Sequence, residues 1–386
     1  MEDLLRLVSQ AAKENIDWVG IENALSSFVI PMSRTQQNPT FHAEGDVWTH
    51  TKMVCEEMVM LDSFRNLTED EQQILFLAAL LHDIGKIPTT RWEGGRWISP
   101  NHTLVGSKMA RQFLWLDMGL CGTPDKMEYR ETVCNLIRYH SFPPYAIDDP
   151  DGKRKLIAIA ANGELCPLFS IELLCVLCEA DALGRVCIDE HDRIHMVEQV
   201  QLCREFVFSL HFPLGPFPFS SDHTKFSYLS GRNIPPEMEL YDDTWGEVHM
   251  LSGLPGTGKD TWIKNITLPM ISLDEIRREM KISPTDNQGK VLEIARERAR
   301  EFLRKKQTFV WNATNLSPLV RAKQIKLFNQ YRASTRIIYL ETDWEEQLRR
   351  NASRTDAVPE QAICHMMEEL VLPEAKEAHK VMWHCI

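Results

Sequence analysis

Hydrophobic and polar positions follow two different patterns along this chain. Up to about residue 205, apolar residues recur mainly at helical spacing, and strand-like runs are hard to find. The predicted helices lie around 46–61, 69–86, 102–117, 126–140 and 168–184. Turn-rich stretches such as Pro88–Pro100 and Ser141–Lys153 separate them. This pattern predicts an all-α first domain.

A proline-rich segment at 211–245 ends the helical pattern. Its first part, His211–Phe219, contains three prolines and a glycine, and Pro235 and Pro236 follow. Because proline interrupts helices, we interpret the segment as a linker or a wrapping connection.

After this segment, short apolar runs alternate with amphipathic stretches. Strands are predicted at Glu247–Ser252, Met270–Leu273, Phe309–Trp311 and Arg336–Leu340, and helices at 259–266, 287–306, 318–331, 343–354 and 359–370. Strands that alternate with helices indicate a parallel sheet covered on both faces. The chain is therefore predicted to be a multidomain protein, with an all-α domain at 1–210, a linker at 211–245 and an α/β domain at 246–386.

The composition narrows the location and the partners of the protein. In 386 residues, 43 Lys and Arg against 55 Asp and Glu give a formal net charge of −12. That charge disfavours coating nucleic acid or an anionic membrane, although a local basic pocket can still hold a nucleic-acid end. The longest apolar run, Ile74–Leu81, is far shorter than the roughly 20 residues of a membrane helix. Ten cysteines are too sparse for a disulfide scaffold, so we expect a cytoplasmic protein.

A histidine and an aspartate end a very apolar predicted helix, in the run Leu80–Lys86. His82 and Asp83 need partners there, because an unpaired buried polar group costs several kcal/mol. His50 and Asp181 lie on other predicted helices and complete a set of two imidazoles and two carboxylates. This mixed N/O set suits Mn, Fe, Co, Ni or Zn better than calcium.

Two more histidines, His102 and His140, follow helix-friendly spacing. They are candidates for binding a second metal ion, which would allow a bridging hydroxide to attack a phosphoester. The alternative is that each is an ordinary core or surface histidine.

The order His…His-Asp…Asp, with Gly85 and Lys86 after the doublet, resembles the HD phosphohydrolase superfamily over roughly residues 40–185. The run from His42 to Thr51, HAEGDVWTHT, is also similar to the HD domain of bacterial CCA-adding tRNA nucleotidyltransferases. The resemblance implies hydrolysis of phosphomonoesters or 2′,3′-cyclic phosphates on nucleotides or RNA ends. Its implied metal ligands are His50, His82, Asp83 and Asp181. Lys86 would hold the substrate phosphate, unless it is only an exposed helix-end lysine.

A glycine-rich loop follows the first strand of the second half and opens a helix, as a Walker A loop does. Its residues are Gly253, Leu254, Pro255, Gly256, Thr257, Gly258 and Lys259. Backbone N–H groups of such a loop surround the ATP phosphates, and the lysine reaches the β- and γ-phosphates. The next residue is usually Ser or Thr, which binds Mg²⁺, but here it is Asp260, followed by Thr261. Either residue can take that role; the alternative is a weakened nucleotide site.

Three later segments favour a kinase. Asp274 follows the second strand and can accept a proton from an attacking hydroxyl, and Arg277 can bind a substrate phosphate. Asn312 ends the third strand. The run Arg349–Arg354 has the form of a lid that stabilises the transferred phosphoryl group. Taken singly, each could be a helix cap or a solvated charge.

Residues 246–386 resemble the 5′-hydroxyl polynucleotide kinases of phage and bacterial RNA repair. The matching stretches are the glycine-rich loop with Thr261-Trp262, Ser272-Leu273-Asp274 with Arg277, Arg350-Asn351 with Arg354, and Val358-Pro359-Glu360. The resemblance implies that Asp274 is the general base for the RNA 5′-hydroxyl. It also implies that Arg277 holds the neighbouring phosphate and that Arg350 and Arg354 bind ATP. Asp260 and Asn312 depart from the family pattern.

Together, the two halves predict a bifunctional RNA end-healing enzyme that uses ATP with Mg²⁺ in one domain and one or two transition-metal ions in the other. Its expected partners are ATP, RNA or DNA ends, of which RNA ends are favoured, and an RNA ligase that seals the healed ends; no membrane association is expected. One alternative is a small-molecule or nucleoside kinase fused to an HD nucleotidase. Another is a P-loop module that senses ATP and regulates the HD site. The sequence leaves the oligomeric state open.

Overall fold

The computed structural model describes residues 2–11, 15–264, 266–283, 286–354 and 356–386. The chain forms two compact units, one of residues 1–120 with 125–217 and the other of residues 121–124 with 218–386. The functional boundaries predicted at 210 and 246 stay a prediction. No helix in the described ranges has both the length and the apolar character needed to cross a bilayer.

The first unit is helical, as predicted. Its helices are α1 (Glu2–Ala11), α2 (Trp18–Ala24), α3 (Ser26–Met32), α4 (Val47–Met60), α5 (Asp62–Arg65), α6 (Glu69–Leu81), α7 (Lys86–Thr89), α8 (His102–Gln112), α9 (Pro124–Tyr139), α10 (Gly152–Ala160), α11 (Ile171–Leu183) and α12 (Glu190–Ser209). A short antiparallel hairpin of β1 (Arg91–Glu93) and β2 (Arg96–Ile98) lies within the stretch that was predicted to be turn-rich. A π-helical turn, Phe113–Asp117, continues α8.

Helices α6 and α11 form the centre of this unit. The run Ile74–Leu81 of α6 is buried on every side, and so is most of α11. A helix that is apolar all round must be surrounded by other elements, and α4 packs against both. The Asp46 side chain caps α4 by accepting from the backbone N–H of Thr49, which fixes where the helix begins. His50 thus lies in the first turn of α4, beside the ends of α6 and α11.

The second unit contains a parallel sheet, also as predicted. In the described residues its strands are β3 (Trp245–Ser252), β4 (Met270–Ser272), β5 (Phe309–Asn312), β6 (Ala333–Glu341) and β7 (Lys380–Cys385), in the spatial order β4-β5-β3-β6-β7. Its helices are α13 (Asp222–Leu229), α14 (Lys259–Lys264), α15 (Leu273–Met280), α16 (Gly289–Arg304), α17 (Pro318–Gln330), α18 (Trp344–Ala352) and α19 (Glu360–Glu368). The sequence pattern gave no indication of β7.

The segment 211–245 contains α13, whose Phe226 belongs to the hydrophobic core of the second unit. The central strand of the sheet is β3, and the strand order reverses beside it. Parallel sheets bind ligands at the carboxyl ends of their strands, near such a reversal. The glycine-rich loop after β3, Asp274 after β4 and Asn312 at the end of β5 all lie at this edge.

Candidate active sites

A buried cluster of histidines and aspartates lies where α4, α6 and α11 meet. His50 Nε2 is 3.0 Å from Asp181 Oδ1 and 3.9 Å from Asp83 Oδ2. His82 Nε2 is 3.2 Å from Asp83 Oδ2 and 4.0 Å from Asp181 Oδ1. All four side chains are at most 5% exposed. The structure therefore brings together the four residues that the sequence proposed as one ligand set.

His102 and His140 approach the same cluster from the other side of Asp83. Their Nε2 atoms lie 3.6 Å and 3.8 Å from Asp83 Oδ1. Asp83 thus turns one oxygen toward His50 and His82 and the other toward this second pair. Asp83 belongs to two groups of three, one with His50 and His82 and one with His102 and His140. Within each group the ligand atoms lie within 4.8 Å of one another, which is close enough to hold a metal ion. One carboxylate can therefore be shared between two ions.

Backbone carbonyls fix the orientation of three of the histidine rings. The Nδ1 atoms of His82, His102 and His140 lie 2.7, 2.9 and 2.8 Å from the carbonyl oxygens of Ala79, Ser99 and Ile137. A carbonyl can only accept, so each Nδ1 carries the proton and donates it. Each Nε2 then presents a lone pair to the cluster, as metal-ligating histidines do.

The donor set fits divalent transition-metal ions. Among the described residues, His82 Nε2 and Asp83 Oδ1 have no hydrogen-bond partner although both are buried. An unsatisfied buried polar atom costs about 1–3 kcal/mol, and a metal ion would satisfy both. Imidazole and carboxylate ligands suit such ions. When bound, the metal would supply a Lewis acid and a water molecule of lowered pKa.

The glycine-rich loop of the second unit connects β3 to α14. Gly253, Gly256 and Gly258 have φ angles of 145°, 84° and 86°, a region that favours glycine. A Cβ on Gly253 would lie 2.4 Å from the carbonyl oxygen of Leu340, so that position also lacks space for a side chain. Lys259 Nζ donates to the carbonyls of Gly253 and Leu254, at 2.8 and 2.7 Å. This is the geometry of a phosphate-binding loop between a strand and a helix.

Two family models match the chain. The one described as an HD domain matches residues 47–185, and the one described as an AAA domain matches residues 248–373. The chain joins an HD domain to a P-loop kinase-like domain. The first match runs from the start of α4 to just beyond α11 and contains all six predicted metal ligands. The second contains the glycine-rich loop, Asp274 and the arginine run.

Charges around the HD cluster hold its carboxylates in the ionised form that a metal needs. Burial alone would raise the pKa of Asp83, but the positive charge of nearby Lys86 holds it well below its usual range. Burial opposes ionisation of Asp181 in the same way, and the positive charge of Arg185 keeps its pKa low. The pKa of His140 is lowered to about 3, chiefly by burial.

Lys86 is a buried member of the HD cluster. Its Nζ lies 2.6 Å from Asp83 Oδ2 and donates to Gln37 Oε1 at 2.7 Å. With 8% of its surface exposed, it is not the exposed helix-end lysine that the sequence left open. Its role toward a substrate phosphate stays a prediction.

Three residues at the cluster were not assigned a role from the sequence. Arg185 pairs with Asp181 across one helical turn, Nη2 to Oδ2 at 2.5 Å, and the i,i+4 spacing was the signal for it. His42 and Glu44 lie in the HAEGDVWTHT run, but only the structure shows that both contact the ligand candidate His50. Burial alone would raise the pKa of Glu44, whereas hydrogen bonds from His42 and His50 hold it well below its usual range. Burial lowers the pKa of His42 to about 3.

The kinase-like domain gathers its charged residues around Lys259. Part of the Lys259 side chain is exposed, but its ammonium is turned inward, and burial lowers the pKa to about 8. The charges of Asp260, Arg354 and Asp274 also act on this pKa, so the three groups lie near the ammonium. Arg354 Nη2 is 3.9 Å from Asp260 Oδ2.

The other predicted ATP-binding residues lie along the same edge. Arg350 Nη1 would be 3.2 Å from a Cβ on Gly258, so the guanidinium is at the loop, where it also pairs with Glu346. Asn312 donates to Asp260. Thr261 is exposed on α14 and has no role that the described contacts reveal.

Asp274 and Arg277 form an ion pair on the first turns of α15. Asp274 is not the helix cap, because Ser272 has that role and accepts from the backbone N–H of Glu275. About half of the Asp274 side chain is exposed. Arg277 also donates to Gln288 Oε1, at 3.2 Å. The Asp274 carboxylate is therefore accessible, and the Arg277 guanidinium beside it is held in place by Asp274 and Gln288.

Proposed function

We propose that this protein heals broken RNA ends. The kinase-like domain would transfer the γ-phosphoryl group of ATP to 5′-hydroxyl ends, and the HD domain would remove 3′-phosphates or 2′,3′-cyclic phosphates. The supporting observation is that one chain holds two candidate sites. The first is a buried His/Asp cluster in which His82 Nε2 and Asp83 Oδ1 have no hydrogen-bond partner, and the second is a P-loop with the accessible carboxylate of Asp274 nearby. RNA cleavage often leaves these two kinds of end, so one chain would prepare both for a ligase.

In the proposed kinase reaction, Asp274 is the general base. A new bond would form between the RNA 5′-oxygen and the γ-phosphorus, while the bond from that phosphorus to the β–γ bridging oxygen breaks and ADP leaves. The hydroxyl proton would pass to the Asp274 carboxylate, whose exposure lets a polymer end reach it. Arg277 would hold the phosphate next to that end. Lys259 and the arginines of the lid would balance the negative charge of the transferred group.

Mg²⁺ would bind beside the P-loop in this proposal. Asp260 stands at the position that Ser or Thr usually occupies, and its carboxylate accepts a hydrogen bond from Asn312. Mg²⁺, when bound, neutralises charge on the ATP phosphates.

In the proposed HD reaction, His50, His82, Asp83 and Asp181 would hold one ion such as Mn²⁺, Ni²⁺, Co²⁺ or Fe²⁺. His102 and His140 would hold a second one with Asp83. Lys86 and Arg185 would provide the positive charge that a terminal phosphate needs, since each lies beside one of the ligand carboxylates.

RNA is the favoured substrate for three reasons. The HAEGDVWTHT run is similar to the HD domain of tRNA nucleotidyltransferases, and the kinase motifs are similar to those of RNA-repair kinases. A net charge of −12 fits an enzyme that grips a terminus rather than a long stretch of nucleic acid. A cytoplasmic location and an RNA ligase as partner complete the proposal.

The kinase half is tested with the purified full chain, γ-labelled ATP and Mg²⁺. Labelled phosphate should appear on a 5′-hydroxyl RNA oligonucleotide, more slowly on the matching DNA, and not on free nucleosides. Lys259→Ala and Asp274→Asn should abolish the transfer, whereas Glu297→Gln, a surface change on α16, should leave it intact. Labelling of nucleosides in preference to RNA would instead identify a small-molecule kinase, and ATP binding without any transfer would identify a sensor.

The HD half is tested on RNA that ends in a 3′-phosphate or a 2′,3′-cyclic phosphate, with Mn²⁺, Ni²⁺ or Co²⁺. Phosphate release or ring opening should require metal and disappear in Asp83→Ala. The kinase variant Asp274→Asn should keep this activity, which shows that the two sites act separately. No hydrolysis of either end with any of the three metals would contradict the proposal.

A further inference from the structure

His50 differs from the other cluster histidines in what its outer nitrogen contacts. The Nδ1 atoms of His82, His102 and His140 donate to backbone carbonyls, and His50 Nδ1 also lies 3.3 Å from one, that of Gly184. In addition, His50 Nδ1 lies 3.0 Å from a carboxylate oxygen, Oε1 of Glu44. Both side chains are buried, His50 completely and Glu44 with 2% exposed. A carboxylate withdraws the imidazole proton more strongly than a carbonyl does, and so makes the opposite nitrogen a better metal ligand.

Three donors hold the Glu44 carboxylate in place. Its Oε1 accepts from His42 Nδ1, at 2.8 Å, and lies 3.0 Å from His50 Nδ1, while Oε2 accepts from the backbone N–H of Val186, at 3.0 Å. A glutamine could not replace it, because its amide NH₂ would face a donor whichever way the group turned. The position thus requires a carboxylate rather than any polar group of similar size.

Backbone hydrogen bonds near Glu44 join the chain segment that precedes the ligand His50 to the segment that follows the ligand Asp181. Residues 40–44, just before α4 and His50, pair with residues 186–188, just after Asp181 and α11. Ala43 N–H donates to the Val186 carbonyl at 2.7 Å, and Ile188 N–H donates to the Thr40 carbonyl at 3.0 Å. Glu44 therefore lies between the backbones that place His50 and Asp181.

We propose that Glu44 is a positioning residue for the metal ligand His50. It would hold the ring with its proton on Nδ1 and strengthen Nε2 as a ligand, so that the ion bound by His50, His82, Asp83 and Asp181 is the tighter of the two. This inference rests on the proposed metal site.

The structure separates this role from simple packing. The carbonyl oxygen of Gly184 already lies at hydrogen-bond distance from the same His50 nitrogen, 3.3 Å, and would be left as its acceptor if Glu44 is changed. Loss of the carboxylate would therefore leave the ring placed by a weaker acceptor of the same kind that the other histidines use. The consequence is a weaker ligand rather than a missing one.

The test uses the metal-stripped full chain, titrated with Co²⁺ and followed by its visible absorption. The wild-type chain should bind in a tighter and a weaker phase. In Glu44→Gln the tighter phase should weaken about 10–100-fold with a changed absorption band, while the weaker phase stays the same. Glu57→Gln changes an exposed carboxylate on α4, the helix that carries His50; it is the control and should bind like the wild type. An unchanged tighter phase and band in Glu44→Gln would overturn the proposal.

Two further measurements keep the outcomes distinct. Thermal unfolding of the metal-free variants reports whether they fold; if Glu44→Gln does not, Glu44→Asp keeps the charge but shortens the reach, and normal Co²⁺ affinity in it would also overturn the proposal. If the wild-type chain binds no Co²⁺, the metal site itself is wrong. If it binds Co²⁺ as expected but hydrolyses no RNA end, the role of Glu44 stands and only the proposed substrate fails.

Discussion

The side-chain amide of Asn312 donates a hydrogen bond to the carboxylate of Asp260, with 3.1 Å between Nδ2 and Oδ1. Asp260 follows the P-loop lysine, and Asn312 ends β5, the strand that pairs with the P-loop strand β3. P-loop NTPases commonly hold Mg²⁺ with a hydroxyl after that lysine and with an aspartate elsewhere in the site. In this chain the carboxylate stands at the loop and the neutral group on the strand, so the pair keeps one negative charge.

If the carboxylate of Asp260 replaces the usual strand aspartate in binding Mg²⁺, then moving the carboxylate back to position 312 should compensate for its loss at position 260. Asp260→Ser alone removes the charge and should lower turnover with Mg-ATP at least about tenfold. Combining it with Asn312→Asp should recover most of the loss. The measurements are the ATP-dependent transfer rate and the Mn²⁺ affinity of the ATP complex by electron paramagnetic resonance. The idea fails if Asp260→Ser keeps normal Mn²⁺ affinity, or if the double variant is no better than the single one.

ATP affinity should depend on pH through Lys259. Its pKa of about 8 means that the free site holds a charged ammonium below pH 8 and a neutral amine above it. ATP favours the charged form, so binding above pH 8 must take up a proton, and affinity should fall by up to about tenfold per pH unit above that value.

Calorimetry in two buffers of different ionisation enthalpy would measure this proton uptake. Lys259→Arg keeps its charge throughout this range, so its affinity, although lower, should stay level between pH 7 and 9. Equal pH dependence in the two proteins would assign the effect to another group.

Gly85 lets α8 approach the HD cluster. A Cβ at this position would lie 2.0 Å from the carbonyl oxygen of His102 and 2.4 Å from the backbone nitrogen of Gly106. Gly85→Ala should therefore push α8 away from the cluster and increase the distance between His102 and Asp83. We expect a loss of about 1–3 kcal/mol in stability and a selective loss of the weaker Co²⁺ phase.

Gly215→Ala is the matched control, because a Cβ there meets nothing within 4 Å. Differential scanning calorimetry and the Co²⁺ titration report the two effects. Equal weakening of both Co²⁺ phases in Gly85→Ala would argue against a separate contribution from α8.

The sequence predicts those features that depend on local pattern or on topology. His82 and Asp83 stood out because they end an apolar helix, and Asp274 because parallel strands end at one edge. The two-sided role of Asp83 could not be predicted, since it depends on how the fold brings His102 and His140 to its second oxygen. The role of Glu44 likewise follows only from its contacts with His42, His50 and a distant backbone group. Strand β7 was missed because its sequence, KVMWHC, lacks a regular alternation of apolar and polar residues, and only its pairing with β6 defines it.

A buried arginine fastens the loops at one edge of the kinase-like domain. Arg321, on α17, is fully buried and binds Glu377 through two contacts, Nε to Oε2 at 2.6 Å and Nη2 to Oε1 at 2.7 Å. Its Nη1 also donates to the carbonyls of Asn315 and Val371, both at 2.9 Å. The side chain therefore ties the loop after β5 to the segment before β7.

Arg321→Met should destabilise this domain by about 3–5 kcal/mol, because the mostly buried Glu377 carboxylate loses its guanidinium partner. Calorimetry of the full chain measures it in the transition that Mg-ATP shifts. The double variant Arg321→Met with Glu377→Met should regain part of the loss, since it leaves no buried charge, but not all of it, since the two carbonyls still lack their donor. A loss of less than about 1 kcal/mol in the single variant would mean that the pair contributes no more than an exposed one.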